Sequence, residues 1–323
     1  MIMGYLSPRI MLIGKNGQIG WELQRSLAPS GEIVALDRDR LDLADADQIR
    51  RRVREIKPGI IVNAAAYTAV DRAEEEPELA MAVNGSAPGV LAEEAKHLGA
   101  FIIHYSTDYV FSGHRESECQ ELITSSIGLQ KPYVETDKPN PLNIYGQTKL
   151  AGERAIEAAG VPHLILRIGW VYGTRGRNFM LSVLRLAREQ EELRIVDDQV
   201  GVPTWSRLVA EATAQIIAQI FSPVGVRNSL ATELSGIYHL SAGGQTTWYG
   251  FAREILDRVQ HLYPNYGCLA PERLKPIHSH EYPTAARRPS YSKLGSDLVH
   301  RTFNIKLPSW QDSLQMALES DLR

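Results

Sequence analysis

The sequence predicts an α/β fold, a doubly wound parallel sheet of the Rossmann type followed by a smaller C-terminal lobe. Short β-branched apolar runs alternate with longer amphipathic runs through the first two thirds of the chain, which is the pattern of successive βαβ units. A glycine-rich turn joins the first apolar run to the first amphipathic one. From about Gly173 onward the alternation loosens and prolines become frequent, which predicts the second lobe.

The elements follow in order along the chain. The candidate strands are Arg9–Ile13, Glu32–Leu36, Ile60–Asn63, Phe101–Ser106 and Leu164–Ile168. The candidate helices between them are about Gly17–Ala28, Asp45–Ile56, Ser86–Leu98 and Ile144–Ala159, each long enough for a right-handed crossover. Residues 1–172 therefore form mainly the sheet domain and residues 173–323 mainly the lobe, with a segment at about 193–220 expected to return to the sheet.

Composition narrows the range of partners. The 323 residues carry a formal net charge of −3, whereas nucleic-acid binding needs clustered basic residues. We therefore expect no nucleic-acid partner. The two cysteines, Cys119 and Cys268, make neither a disulfide framework nor a metal-binding spacing, and the chain holds no run of about 18 apolar residues. We expect a cytoplasmic protein with no membrane partner.

A glycine turn predicts a dinucleotide site at the first strand. Gly14, Gly17 and Gly20 follow the strand in the spacing G-x-x-G-x-x-G and open a helix, so that a pyrophosphate can approach the helix N-terminus. Asp37 closes the second strand, where a carboxylate accepts from an adenosine ribose hydroxyl and favours NADH. Arg38 beside it can hold a 2′-phosphate instead, so NADPH and NADH both remain open.

Two further segments are candidates for cofactor contact. Asp42 with Leu43 can meet the adenine, although Asp42 is equally well interpreted as a helix N-cap. Ala64, Ala65 and Ala66 end the third strand with small side chains, which allow close approach of a cofactor but also suit tight core packing.

A tyrosine and a lysine on one helix face are candidates for proton transfer. Tyr145 and Lys149 are four residues apart, which places their Cβ atoms about 6 Å apart on the same face. A ketone reduced by hydride needs a proton, and a neighbouring ammonium is expected to lower the pKa of the phenol that supplies it. An ordinary solvent-exposed pair on an amphipathic helix has the same spacing.

A hydroxyl at the end of the fourth strand strengthens this interpretation. Thr107 lies where ligands of open α/β sheets bind, and its hydroxyl can hydrogen-bond a substrate carbonyl. The alternative is a β-branched strand residue that bonds its own backbone.

These motifs resemble the extended short-chain dehydrogenases and, among them, the family of dTDP-4-dehydrorhamnose reductases. The resemblance runs over nearly the whole chain. Its motifs are the glycine turn continued by 21–27, and the segments 62–71, 105–111, 141–153, 167–172, 198–204 and 287–289 with Ser292.

The resemblance implies reduction of the C4 keto group of dTDP-4-dehydro-β-L-rhamnose to dTDP-β-L-rhamnose, with Tyr145 as proton donor and Lys149 as its partner. Thr107 would bind the carbonyl, and Arg288 would hold the diphosphate. The cofactor contacts that it implies are Gly17, Gln18, Ile19, Asp37, Asp42, Leu43, Ala66, Tyr67, Thr68 and Tyr105. The substrate contacts that it implies are Thr107, Asp108, Tyr145 and Trp170.

Some features stay open at this point. The segment Ser112–Asp137 looks longer than in the family and the first nine residues extend beyond the family's usual start. A monomer and a homodimer are both compatible with the sequence. Some relatives are described as magnesium-dependent, yet no residue cluster here has the spacing of a metal site.

Two other functions compete with a reductase. Nucleotide-sugar epimerases and dehydratases share the tyrosine and lysine, but dehydratases usually carry acidic residues after the strand-end hydroxyl, whereas Tyr109 follows Asp108 here. A regulatory subunit with a reductase-like fold, like the β subunit of methionine adenosyltransferase, is the alternative from another class. The joint presence of Thr107, Tyr145 and Lys149 argues against a purely scaffolding role.

Overall fold

The computed structural model describes residues 8–114, 130–221, 228–267 and 270–321. The strands are β1 (Arg9–Ile13), β2 (Glu32–Leu36), β3 (Ile60–Asn63), β4 (Phe101–Thr107), β5 (His163–Ile168), β6 (Val171–Tyr172), β7 (Leu193–Val196), β8 (Val200–Gly201), β9 (Thr204–Trp205), β10 (Gly236–His239), β11 (Thr246–Thr247) and β12 (Leu274–Ile277). The helices are α1 (Gln18–Ser26), α2 (Ala46–Ile56), α3 (Val70–Glu75), α4 (Pro77–Met81), α5 (Ala87–Leu98), α6 (Ile144–Ala159), α7 (Phe179–Glu189), α8 (Ser206–Ile220), α9 (Asn228–Glu233), α10 (Trp248–Leu262), α11 (Asp297–Phe303) and α12 (Trp310–Asp321).

A six-stranded sheet in the order β10-β5-β4-β3-β1-β2 forms the centre of the molecule. All of its neighbouring strands are parallel. The strand order reverses between β1 and β3, which is the switch point where open α/β sheets bind ligands beyond the carboxyl ends of their strands. The predicted doubly wound parallel sheet is confirmed.

Helices bury the sheet on both faces, because successive strand residues point to opposite sides. Ile10 and Leu12 of β1 pack under α1, α8 and α11. Met11 and Ile13 pack on the other face under α2, α5 and α6. The continuous apolar runs of the predicted strands therefore reflect burial on both sides.

Local capping fixes the helix that carries the candidate tyrosine and lysine. The Asn143 side chain accepts from the N–H of Gly146 at 2.8 Å at its start, and Gly160 ends it in the left-handed region at φ 64°. The helix is therefore bounded as its sequence predicts.

A second hydrophobic core holds the C-terminal lobe together. Helices α7, α10 and α12 enclose it, with Phe251 and Leu314 fully buried at its centre. The short strands of this lobe pair in two-stranded sheets, β11 with β8 and β12 with β7.

The segment at about 193–220 reaches the central sheet through its helix and not through its strand. Within 193–220, β7 pairs with β12 outside the central sheet, and only α8 reaches it, as a helix packed on the face that α1 also covers. The strand that does return is β10, which pairs with β5. Because β10 is only four residues long and begins with Gly236, the sequence has no long apolar run there that would predict a strand.

A further helical stretch lies between β3 and α5. Helices α3 and α4 continue through a π-helical turn at Ala82–Ser86 into α5, whereas the sequence predicts a helix only from Ser86. The sequence does not predict this helical stretch because it contains Pro77, Gly85 and Pro88, and proline and glycine usually interrupt helices. Within the described ranges, no helix is long and apolar enough to cross a membrane.

Candidate active site

A cavity of about 930 Å³ lies along the carboxyl ends of the sheet strands. The ends of β1 and β2, the segment after β3, the ends of β4 and β5, and helix α6 all contribute to its lining. One continuous space therefore connects the glycine turn at one end with Thr107 and Tyr145 at the other.

The glycine turn has the geometry that a phosphate site needs. Gly14 has φ +88°, and a Cβ there would come within 2.7 Å of the backbone nitrogen of Ala65. A Cβ at Gly20 would overlap the carbonyl of Gly14, so Gly20 lies behind the turn rather than on the cavity wall. Helix α1 begins at Gln18 after Gly17, with no side chain capping its first N–H groups. These donors are free to meet an anion at the helix N-terminus.

Charged residues surround the far end of the cavity. The carboxylate of Asp37 pairs with Lys15 Nζ at 3.0 Å, and this contact is the main cause that lowers the pKa of Asp37. Arg38 lines the cavity beside it. Asp42 also lines the cavity and accepts from the N–H of Ala44 at 3.0 Å.

The interpretation of Asp42 as a helix N-cap is wrong. The cap of α2 is Asp45, whose side chain accepts from the N–H of Gln48 at 2.9 Å. Asp42 and Asp45 are three residues apart near the same helix start. The N-cap preference for aspartate applies equally to both, so it cannot show which of them is the cap.

At the reacting end, hydroxyls from two elements meet. The side chain of Tyr145 on α6 lies beside that of Thr107 at the end of β4. Thr107 Oγ1 in turn contacts Asp108 Oδ1 at 3.2 Å and accepts from the N–H of Tyr109 at 3.1 Å. The ring of Tyr109 packs edge-on against that of Tyr145, with centroids 5.8 Å apart.

The expected lowering of the Tyr145 pKa by Lys149 is wrong in this structure. Burial raises the pKa of Tyr145 to about 12, and the neighbouring Thr107 hydroxyl only partly opposes that rise. The ammonium group points elsewhere, because Lys149 Nζ donates to the carbonyl oxygen of Tyr105 at 2.6 Å and lies 3.1 Å from His104 Nε2. The phenol is accordingly protonated at neutral pH.

Asp108 is a buried acid beside this pair. Burial raises its pKa to about 7, against hydrogen bonds from Ser292 and Thr107 that lower it. Its Oδ2 atom has no hydrogen-bond partner among the described residues. Ser292 belongs to the C-terminal lobe, so a group of the lobe lies near enough to influence this acid.

Two stacked tryptophans line one wall of the cavity. The ring of Trp170 lies flat on that of Trp248, with centroids 3.5 Å apart and planes 2° apart. Trp170 adopts a left-handed backbone at φ 46°, which is uncommon for a bulky residue. Gly201 leaves room for its indole, since a Cβ there would overlap the ring.

The structure brings most of the predicted site residues to this cavity. Arg288 is an exception: it does not line the cavity, and its guanidinium pairs with Asp71 at 2.7 Å. Its role at a diphosphate stays a prediction. The predicted residues that do line the cavity are Gly14, Gly17, Gln18, Ile19, Asp37, Arg38, Asp42, Leu43, Ala65, Ala66, Tyr67, Thr68, Tyr105, Thr107, Asp108, Tyr145, Lys149 and Trp170.

Sequence reasoning missed several residues that support the site. The buried side chain of Asn84 bonds both backbone polar groups of Tyr67, at 2.8 and 3.0 Å, and also Thr148 on α6. It therefore joins the segment after β3 to the helix of Tyr145. Lys15 and Trp248 were missed as well, because neither belongs to a recognisable spacing and each acts through a partner distant in sequence.

Four sequence predictions bear on segments or groups outside this cavity. Both cysteines, residues 1–7 and most of the segment Ser112–Asp137 lie outside the described residues. In the part of the chain that the structure does describe, no group of three or more His, Cys, Asp or Glu could hold a metal ion.

A Rossmann-type sheet, a glycine turn at α1 and a Tyr-x-x-x-Lys helix beside a strand-end hydroxyl define an extended short-chain dehydrogenase/reductase. Comparison with known proteins is more specific. A family model described as "RmlD substrate binding domain" matches residues 8–322. The chain belongs to this family, that of the dTDP-4-dehydrorhamnose reductases.

Individual relatives agree with this assignment. The chain is 43% identical to the dTDP-4-dehydrorhamnose reductase of Burkholderia thailandensis over 303 residues, 94% of this chain and 95% of the relative. It is 41% identical to that of Escherichia coli over 314 residues, 96% of each. The crystal structure of the Bacillus anthracis dTDP-4-dehydrorhamnose reductase in complex with NADP superposes with a TM-score of 0.83 at 32% identity, covering 97% of this chain and 99% of that one.

Proposed function

We propose that this chain reduces the C4 keto group of dTDP-4-dehydro-β-L-rhamnose to give dTDP-β-L-rhamnose, with NADPH or NADH as the reductant. One observation carries the proposal: a single cavity joins the uncapped N-terminus of α1 to the neighbouring hydroxyls of Thr107 and Tyr145. The family supports the substrate, because the relatives bear the name of that reaction.

The residues at the glycine turn fit a dinucleotide. Gly14 and Gly17 bring backbone close to the cavity, and the N–H groups at the start of α1 are free to bind a pyrophosphate. Gln18 and Asp37 line the cavity, and each has a buried side-chain oxygen, Oε1 and Oδ1 respectively, without a hydrogen-bond partner among the described residues. Hydroxyl or amide groups of a ligand would donate to these oxygens. A nicotinamide cofactor bound there would supply the hydride.

The reacting end supplies the proton. Thr107 binds the substrate carbonyl and orients it towards the phenol of Tyr145. Burial keeps that phenol protonated, so Tyr145 is able to give its proton to the forming alkoxide. Lys149 lies on the same face of α6 and lines the same cavity, which suits it to hold the cofactor ribose.

The C-terminal lobe completes the site. We assign the sugar nucleotide to the side of the cavity where Trp170 and Trp248 stack, with Asp108 at the sugar. Residues 1–172 would thus bind mainly the cofactor and residues 173–323 mainly the substrate. The sequence-based expectations of a cytoplasmic location and of a monomer or homodimer stay predictions.

One assay tests this proposal against its alternatives. The purified chain is incubated with NADPH or NADH and dTDP-4-dehydrorhamnose, formed in situ from dTDP-glucose by the preceding pathway enzymes, and the loss of absorbance at ~340 nm is followed. We expect one cofactor to be oxidised per sugar reduced. An epimerase would interconvert sugars without net oxidation, and a regulatory subunit alone would be inactive; either result overturns the proposal.

A further inference from the structure

Behind Lys149 lies a buried histidine that the catalytic assignment does not use. His104 on β4 is 1% exposed, and its two ring nitrogens each face one polar partner. Nδ1 lies 3.1 Å from Asn63 Nδ2, and Nε2 lies 3.1 Å from Lys149 Nζ. Asn63 and Lys149 are themselves 0% and 1% exposed, so water does not complete these contacts.

With the Asn63 amide in its observed orientation, counting donors shows that a neutral imidazole and a charged Lys149 cannot both be satisfied. Asn63 Oδ1 accepts from the N–H of Ala65 at 3.3 Å, which directs the amide nitrogen, a donor only, at Nδ1. Nδ1 is then an acceptor, and the proton of a neutral imidazole must be on Nε2. That N–H points at Lys149 Nζ, which already donates to the carbonyl of Tyr105 at 2.6 Å.

The contact between two nitrogens needs one lone pair. An ammonium has none, so an Nε2–H facing a charged Lys149 would set donor against donor in a buried site. A neutral amine removes that conflict, because its lone pair accepts from Nε2–H. The charged amine requires the other arrangement, with Nε2 as acceptor, the proton on Nδ1, and the Asn63 amide turned so that Oδ1 accepts from it.

We propose that His104 is a positioning residue that couples the tautomer of its ring to the charge of Lys149. With the amine neutral, the ring carries its proton on Nε2; with the ammonium, the ring carries it on Nδ1. The change takes up one proton from solvent, because the amine gains one and the ring keeps one throughout. His104 thereby sets the state in which Lys149 meets the cofactor and Tyr145, a role that rests on the proposed function.

The surroundings suit such coupling. Burial is the main cause that lowers the pKa of Lys149 to about 8, and the nearby Glu153 on the same helix opposes that lowering. Burial and then Lys149 lower the pKa of His104 well below its usual value, so the ring stays neutral while its tautomer changes. The other charged or titratable groups on the elements packed here are Tyr145, Arg154 and Glu157 on α6, Tyr105 on β4, and His163 and Arg167 on β5. The guanidinium of Arg167 is paired with Glu153.

The tautomer can be measured without any substrate. Nitrogen-15 NMR of protein labelled in its histidine rings distinguishes Nδ1–H from Nε2–H, and His104→Gln assigns the signals among the nine histidines. We expect the His104 ring to pass from Nδ1–H to Nε2–H as the pH rises, with a midpoint near the Lys149 pKa of about 8.

Two controls isolate the coupling. In Lys149→Met the His104 ring should hold Nε2–H at every pH, because only Asn63 still directs it. His239 is an internal control: it is equally buried, and its Nδ1 faces the carbonyl of Tyr133 at 3.1 Å, so its signals should not move. A His104 ring that keeps one tautomer across the range, or that still switches in Lys149→Met, overturns the proposal.

Activity gives a second, separate readout. We expect His104→Leu to move the limb of the kcat/KM profile near pH 8 by at least one pH unit, and His104→Gln, which retains a donor and an acceptor, to restore part of it. The matched variant His239→Gln should leave the profile in place. An unchanged profile in His104→Leu contradicts the coupling, whereas a wild-type chain that turns over no sugar contradicts the proposed function and leaves the NMR test valid.

Discussion

The side chains of Tyr145 and Thr107 lie beside each other on the wall of one cavity, although one residue lies in a helix and the other at the end of a sheet strand. Helix α6 presents the phenol through its position beside β4, and the Asn143 cap fixes where that helix begins. This contact distinguishes the pair Tyr145 and Lys149 from two solvent-exposed residues at a common helical spacing.

Replacing the phenol should remove proton donation while sparing cofactor binding. We expect Tyr145→Phe to lower kcat by about 10²-fold or more, the scale for losing acid–base catalysis. Steady-state NADPH oxidation measures turnover, and quenching of protein fluorescence by NADPH measures binding. Tyr263→Phe is the control, because its hydroxyl donates to the carbonyl of Leu318 at 3.0 Å and the residue does not line the cavity. Turnover within threefold of wild type in Tyr145→Phe would contradict the role of Tyr145 as proton donor.

The sequence predicts most of the central sheet because its strands are buried on both faces and read as continuous apolar runs. It predicts β1, β2 and β3 with their observed bounds, and α6 as well. It fails at β10 and β7, whose pairing depends on partners distant in sequence rather than on a local pattern.

The candidate site divides in the same way. Spacing identifies Gly14, Tyr145 and Lys149, since a turn and one helix face are local properties. Spacing cannot identify Lys15 or His104, whose significance comes from ion pairing with Asp37 and from contact with Lys149. The pKa of Tyr145 was predicted with the wrong direction, because burial outweighs a cation that is held elsewhere.

Arg38 should favour the phosphorylated cofactor. It lines the cavity beside Asp37, whose charge Lys15 already offsets, so its guanidinium, which has no ion-pair partner among the described residues, is placed for a 2′-phosphate. We expect Arg38→Ala to raise the KM for NADPH about tenfold or more and to change that for NADH less than threefold. Arg40→Ala, an exposed neighbour that does not line the cavity, is the control. Equal effects on both cofactors would contradict this assignment.

Gly201 should be required for the position of Trp170. A Cβ at Gly201 would overlap the indole, so Gly201→Ala must displace the ring from its stack on Trp248. We expect the KM for the sugar nucleotide to rise about tenfold while the Kd for NADPH stays within twofold, measured by steady-state kinetics and fluorescence titration.

A second glycine provides the comparison. A Cβ at Gly243 would meet its nearest neighbour at 3.5 Å, an ordinary contact, so Gly243→Ala should behave as wild type. If Gly201→Ala also leaves the sugar KM unchanged, Trp170 does not contact the substrate.

Asp108 should make the stability of the fold depend on pH. Its pKa is raised in the folded chain from 3.8 to about 7, so its contribution to stability is fully present below pH 4 and is lost as the pH rises through 7. Asp108→Asn cannot ionise. From pH 4 to pH 8 the variant should therefore gain up to about 4 kcal/mol of unfolding free energy relative to wild type.

Urea unfolding at a series of pH values measures this difference. Asp47→Asn is the control, because that side chain is 95% exposed and its replacement should give a difference that does not vary with pH. A difference between Asp108→Asn and wild type that is equally flat would contradict a raised pKa for Asp108.

Removing one partner of the buried ion pair between Arg167 and Glu153 should lower the free energy of unfolding more than removing both. Two hydrogen bonds of 2.9 and 2.6 Å join the side chains, which are 2% and 1% exposed. Glu153→Gln leaves a buried guanidinium uncompensated and should lower the free energy of unfolding by about 3–5 kcal/mol. The double variant Glu153→Leu with Arg167→Met removes both charges and should recover most of that loss. Glu189→Gln, in an exposed pair with Arg185, should cost less than about 1 kcal/mol. Urea unfolding measures all three; a Glu153→Gln loss no larger than that of Glu189→Gln would mean that solvent reaches Arg167.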